Sequence, residues 1–130
     1  MKPKIDRTAW RTLPAEQWNV RTAHAMVIEL NAEKFGVDTY IPLRGWAFEQ
    51  GVIKRSLTEF GAAALRVTIE RAFEEYRPTP EYPQLTAGFL IAYMLPRIMP
   101  QVLAEMKRKE RTETIPVNGG MSTEEMADWL

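Results

Sequence analysis

The chain has 130 residues, of which 45% are hydrophobic and 26% charged, the make-up of one globular domain able to close a core without staples. Its 17 basic residues balance 17 acidic ones, which argues against bulk polyanion binding of the histone kind but leaves room for a local basic patch. With no cysteine, disulfides, thiolate zinc sites and cysteine nucleophiles are excluded.

Residues 1–18 hold Lys2, Lys4, Arg7 and Arg11 around Trp10, with two prolines and no period, and read as an extended N-terminal arm. They contain no apolar h-region of a secretory signal, so a cytoplasmic protein is expected. Asn19 is placed to cap a helix with Val20, Ala23, Met26, Val27 and Leu30 on one face, and Gly36 to stop it. Pro42 and Gly45 mark an irregular connector. A second helix is expected from Trp46 to Phe60, with Trp46, Ile53, Leu57 and Phe60 as its core stripe. After Gly61, a third runs from Ala62 to Tyr76, with Leu65, Ile69, Ala72, Phe73 and Tyr76 inward. On its outer face Arg66 and Glu70, and Arg71 and Glu75, stand at i,i+4 spacing and predict solvated pairs.

Three prolines in "RPTPEYPQ" break that helix. Thr86 then caps a long fourth helix, nearly all apolar in its first half and therefore central, which Pro96 and Pro100 should kink or split. The apolar run Ala87 to Met99 is shorter than the roughly 20 residues of a membrane span. Residues 111–120 read as a linker. Residues 121–130 read as a short amphipathic helix opened by the Ser122/Glu125 capping box, with Met126, Trp129 and Leu130 apolar. The expected fold is all-α: a compact bundle of about four main helices over residues 19–110, with flexible N- and C-terminal segments.

The pair of helices around Gly61 has the skeleton of a DNA-reading helix-turn-helix, but its would-be recognition helix opens on Ala62, Ala63 and Ala64. Those side chains offer base edges and phosphates very little, so the balance favours a core hairpin. The same residues carry a resemblance. Ile53, Lys54, Leu57, Phe60 and Gly61, followed by Leu65, Ile69 and Phe73 and then a proline-marked loop and another helix, resemble the small helical modules of phage and mobile-element replication proteins, the replisome organisers and helicase loaders. The likeness covers about residues 46–95 and lies mostly in core positions. It implies an adaptor that touches DNA or a helicase. The chain has neither a winged-helix domain nor a G-x-x-x-x-G-K-[ST] loop, so ATP-driven loading is not expected.

No catalytic constellation stands out. His24 is the only histidine, has no identifiable triad or zinc partners, and reads as a surface or packed residue. Glu74–Glu75 and Glu124–Glu125 are adjacent in sequence and diverge by about 100° on a helix. No cofactor, no metal site and no enzyme activity are expected. Basic residues gather at Arg44, Lys54 and Arg55 and again at Lys107, Arg108, Lys109 and Arg111. The last group complements a helix C-terminus, yet it also suits phosphate contact. Lys54, Arg55, Lys107, Arg108, Lys109 and Arg111 are therefore the candidate nucleic-acid contacts, and Met126, Trp129 and Leu130 the candidate partner contacts. Trp46 reads as core. Trp10 and Trp129 lie in the terminal segments, where they dock on a partner or on the chain's own body.

The function expected is that of a non-catalytic accessory protein in phage or mobile-element DNA replication. Its partner would be a replicative helicase or initiator, with DNA as a second, salt-sensitive ligand and no membrane. The alternatives are a small inhibitor that occludes a host or defence nuclease, and a structural or assembly protein.

Overall fold

A computed structural model describes residues 5–114, with side chains to Arg111. It is all-α: four helices and a short 3-10 turn at Ala15–Gln17, with no strand among the described residues. Helix α1 spans Val20–Phe35. Its start is fixed by a reciprocal capping box: Asn19 Oδ1 accepts the Thr22 N–H at 3.1 Å while Thr22 Oγ1 accepts the Asn19 N–H at 3.2 Å. It ends at Gly36, whose φ of 67° is a left-handed cap. Helices α2, Trp46–Phe60, and α3, Ala62–Glu75, are joined by the single residue Gly61 at φ 87°, where a side chain would be strained.

The fourth helix, α4, is built in three consecutive pieces. Thr86 caps an α turn at Ala87–Phe89 by accepting the Phe89 N–H, a π-helical turn covers Leu90–Met94, and an α-helix follows over Leu95–Thr114. Pro96 and Pro100 do not split it. The wide turn sits immediately before Pro96, and the Leu95 N–H reaches back to the Leu90 carbonyl, so the ladder is re-spaced where proline has no donor to give. The helix also runs through the first four residues expected as linker, 111–114.

The core is the meeting of four stripes. Ala23, Met26, Val27 and Leu30 of α1, Ile53 of α2, Leu65, Ile69, Ala72 and Phe73 of α3, and Leu90, Met94, Leu95, Ile98, Met99 and Val102 of α4 are all buried. At about 1.5–3 kcal/mol per large side chain, this burial is the main stabilising term. Helix α3 packs chiefly on α4 and less on α2, so it is not simply one arm of a hairpin. Arg71 and Glu75 do not pair with each other as the i,i+4 spacing predicts. Arg71 binds Glu105 and Glu75 binds Arg97, each at 2.5 Å, and both bridges cross from α3 to α4 because the two helices lie side by side. Arg66 and Glu70 do pair along α3, at 3.7 Å.

Residues 5–18 are turn-rich rather than extended, and they lie on the body of the protein. Trp10, 5% exposed, donates its indole N–H to Glu29 at 2.8 Å, and Trp18 donates to the Leu13 carbonyl at 3.2 Å. An aromatic that buries its ring and satisfies its one donor has good reason to fold back. Arg11 lies over the Trp10 ring at 4.1 Å and binds Glu33 at 2.7 Å as well as Glu29. The Trp10 and Arg11 hydrogen bonds hold the Glu29 carboxyl below its ordinary range against the opposing effect of burial.

Two long-range ties fix the connectors. Asn31, fully buried on α1, donates to the Leu85 carbonyl and accepts the Leu85 N–H, both at 2.8 Å, imitating a backbone pair. Gln84 does the same to Ile41, donating at 2.7 Å and accepting at 3.2 Å. The Leu85 tie holds the approach to α4. Replacing Asn31 with alanine strands a buried N–H and C=O, and should lower stability by roughly 2–4 kcal/mol in urea unfolding. Alanine at the exposed Gln84 tie should cost less.

Candidate functional site

The buried positions of α2 are Glu49, Ile53 and Ser56, with Phe60 half-buried after them. This is a clean helical stripe whose first member is a carboxylate. Glu49 has no exposed surface. Its Oε1 accepts from His24 Nε2 at 2.8 Å and from the Tyr40 hydroxyl at 2.7 Å; its Oε2 accepts the Leu43 and Gly88 N–H groups, both at 2.9 Å. An ionised carboxylate only accepts, so His24 Nε2 carries the hydrogen. The Tyr40 hydroxyl in turn accepts the Ala87 N–H at 2.7 Å. Ala87 and Gly88 open α4, where backbone N–H groups have no partner within the helix and the macrodipole favours an anion.

Local geometry serves this junction. Arg44 at φ 59° and Gly45 at φ 93° turn the connector sharply after Leu43, whose N–H already points at Glu49. A positive φ at an arginine is uncommon. Gly88 is required for space: a Cβ there would stand 3.0 Å from two carbons of Leu43 and 3.3 Å from Glu49 Oε2. Burial pushes the Glu49 carboxyl up, but the bonds from His24, Tyr40, Gly88 and Leu43 together outweigh it and hold the group below the ordinary carboxylate range. Burial first, and then the hydrogen bond to Glu49 and its charge, drive the Tyr40 phenol far above its usual value, with the Ala87 N–H opposing.

An open cleft of about 630 Å³ lies beside this junction, with His24 in its wall. Val20, Ala25 and Ile28 make the apolar lining, and Trp46, Arg21 and Lys54 also border it. The Trp46 ring stands edge-on to His24 at 5.0 Å between centroids. Trp46 is not a core residue as expected, but 46% exposed. It is the first residue of α2, and its ring packs on His24 and Tyr40, the two side chains that donate to Glu49. The cleft is wide enough to admit a small ligand. All four lone-pair directions of Glu49 are occupied, and among the described residues no buried side-chain nitrogen or oxygen lacks a partner. Among the described residues, too, no group of three or more histidine, aspartate or glutamate side chains converges.

Of the expected contact residues, Lys54 borders the cleft and Arg55 is exposed next to it in sequence on α2. Lys107, Arg108, Lys109 and Arg111 are exposed along the last turns of α4, a separate feature. Met126, Trp129 and Leu130 lie outside the described residues. In α3, the candidate recognition helix, Ala64, Leu65, Thr68, Ile69, Ala72 and Phe73 are buried. Sequence reasoning missed Arg21, Tyr40 and Glu49, and left His24 without a partner. The available signal was the spacing of Glu49, Ile53, Ser56 and Phe60, which is as regular as the stripe drawn through Trp46. The chain matches no protein-family model, no curated protein and no solved structure.

Glu49→Gln should lower stability by roughly 3 kcal/mol, because its amide turns a donor toward donors already in place. The depressed carboxyl also sets a pH dependence. Its contribution is complete above the unfolded-state value of about 4.3 and is lost as pH falls through the lower folded value. Urea midpoints between pH 7 and 3 should therefore fall steeply at the acid end for the native chain, and less steeply for Glu49→Gln.

Proposed function

We propose that this chain is a non-catalytic accessory protein of phage or mobile-element DNA replication that contacts a helicase or initiator and holds DNA weakly. The observation that carries the reading is the pairing of an exposed indole, Trp46, with the cations Arg21 and Lys54 along one open cleft. An aromatic platform beside cations suits a single strand, whose bases stack while its phosphates meet the charges. The basic turns at the end of α4 add a second phosphate-binding surface. The saturated state of Glu49 supports a scaffold role for the buried polar groups, with ligands held at the surface. The helicase or initiator contact rests on the resemblance of residues 46–95 and on the apolar residues Met126, Trp129 and Leu130.

Fluorescence anisotropy with single-stranded, duplex and forked oligonucleotides tests the DNA part. Binding should favour forms with a single strand and weaken as salt rises from about 50 to 200 mM. Trp46→Ala should weaken it roughly 5- to 100-fold, the range of one lost base stack. Changing Lys107, Arg108, Lys109 and Arg111 together to alanine should flatten the salt dependence. No binding to any form at low salt would remove the DNA contact, and binding indifferent to Trp46→Ala would remove the cleft from it. A pull-down of helicase with and without residues 121–130 tests the protein contact, which should need them.

A further inference from the structure

The imidazole of His24 is engaged on one side only. Nε2 donates to Glu49, and the residue is 5% exposed. The second ring nitrogen, Nδ1, bonds no group among the described residues. No buried side-chain nitrogen among those residues lacks a partner, so Nδ1 is not sealed in the core but reaches open space. The open space that His24 borders is the cleft between α1 and α2. Because Glu49 takes the Nε2 hydrogen, the neutral ring turns a bare lone pair into that cleft. A partner behind one nitrogen of an imidazole fixes the tautomer and the aim of the other. A buried polar side chain ordinarily has its hydrogen-bonding capacity filled, and here the missing donor must come from outside the chain.

Two other kinds of group share the wall. Trp46, Gln50 and Lys54 recur every four residues along α2 and line the cleft as one row. Trp46 is 46% exposed, so part of its ring is open to a ligand. Lys54 stands about 12 Å further along the helix axis, at 1.5 Å per residue. From α1, Arg21 borders the cleft three residues before His24. No acidic residue lines the cleft. Asp6 lies within electrostatic reach of Arg21, and its carboxylate already accepts the Thr8 N–H and hydroxyl. Glu49, behind His24, has its acceptor directions filled.

We infer that the cleft seats a single nucleotide, with its base against Trp46, a base N–H donating to His24 Nδ1, and its phosphate between Arg21 and Lys54. The inference rests on the reading of this cleft as a DNA contact and narrows it, from a surface that stacks bases to a pocket that holds the edge of one. An anion without a base satisfies only the cations, and an apolar ring only Trp46. A nucleotide joins a flat ring, an edge N–H such as the amino group of adenine or cytosine, and a phosphate in one molecule. The volume of about 630 Å³ lies within the usual span of small-molecule sites, roughly 300–1,000 Å³. A free nucleotide and one unit of a strand carry the same chemistry, and competition separates them.

Nitrogen-15 magnetic resonance of the full chain tests this directly, because His24 is the only histidine and gives the only imidazole signals. Deoxyadenosine 5′-monophosphate, added at pH 8, should move the Nδ1 signal with a dissociation constant on the order of 0.1–1 mM, as suits a small ligand in an open cleft. The same nucleotide without its 6-amino group should bind about fivefold more weakly, the loss of one hydrogen bond. Deoxyribose 5-phosphate, which has no base, should leave the signal in place. His24→Gln keeps a donor for Glu49 but removes Nδ1, and should bind the two nucleotides equally. A single-stranded oligonucleotide that displaces the nucleotide assigns the site to a strand. One that binds without displacing it assigns the site to the free nucleotide and takes the DNA contact out of the cleft. An Nδ1 signal unmoved by the nucleotide, or moved as much by deoxyribose 5-phosphate, overturns the inference, and overturns it alone where oligonucleotides still bind through Trp46. So does a His24→Gln chain that still tells the two nucleotides apart. Should that variant fail to fold, the native chain decides, since equal affinity for the two nucleotides also overturns the inference.

Discussion

A single carboxylate, buried without any exposed surface, holds three distant parts of the chain at one point. Glu49 projects from α2 and receives His24 from α1, Tyr40 and Leu43 from the connector, and Gly88 from the first turn of α4. Burying a charge in this way is costly unless its acceptor capacity is filled, and here it is. Much else follows. Gly88 must lack a side chain, the connector must turn at Arg44 and Gly45, and α4 must begin where its free N–H groups meet the anion. The apolar core supplies more of the stability, but apolar contacts are non-directional. The carboxylate adds direction, since only one placement of the four segments satisfies all its donors.

Helix α4 depends on this anchor at its start and on α3 along its length. Its buried side completes the core, its sides carry ion pairs to α3, and its last turns carry the densest run of cations. The cleft beside Trp46 lies elsewhere, between α1 and α2. Surfaces of different character thus sit on different elements.

Much of the fold was legible in the sequence because the signals involved are local. Asn19 and Gly36 bound α1 through contacts within four residues, Thr86 caps α4 in the same way, and the stripe from Leu65 to Phe73 needs only the helical period. The site was not legible, for a physical reason. The partners of Glu49 lie 25, 9, 6 and 39 residues away, and nothing near an acidic residue in sequence announces that four donors will converge on it. A glutamate on a helix ordinarily faces solvent, so the apolar pattern alone runs the stripe through the tryptophan. Trp10 illustrates the same limit. Its burial depends on Glu29, nineteen residues on, and not on the proline-marked segment around it. Arg71 and Glu75 have the spacing of partners, yet the neighbouring helix offers each a shorter bond.

The π turn at Leu90–Met94 also gives the molecule a rotational adjustment. An α-helix advances about 100° per residue, and a turn that takes up an extra residue resets the angular phase of everything before it relative to everything after. The two ends of α4 answer to different demands: Ala87 and Gly88 must present their N–H groups to Tyr40 and Glu49, while Leu95, Ile98, Met99 and Val102 must enter the core. The wide turn acts as a coupling between two shafts keyed at different angles. Such a joint is the place where length and orientation can be exchanged, while the segments on either side stay in register with their neighbours.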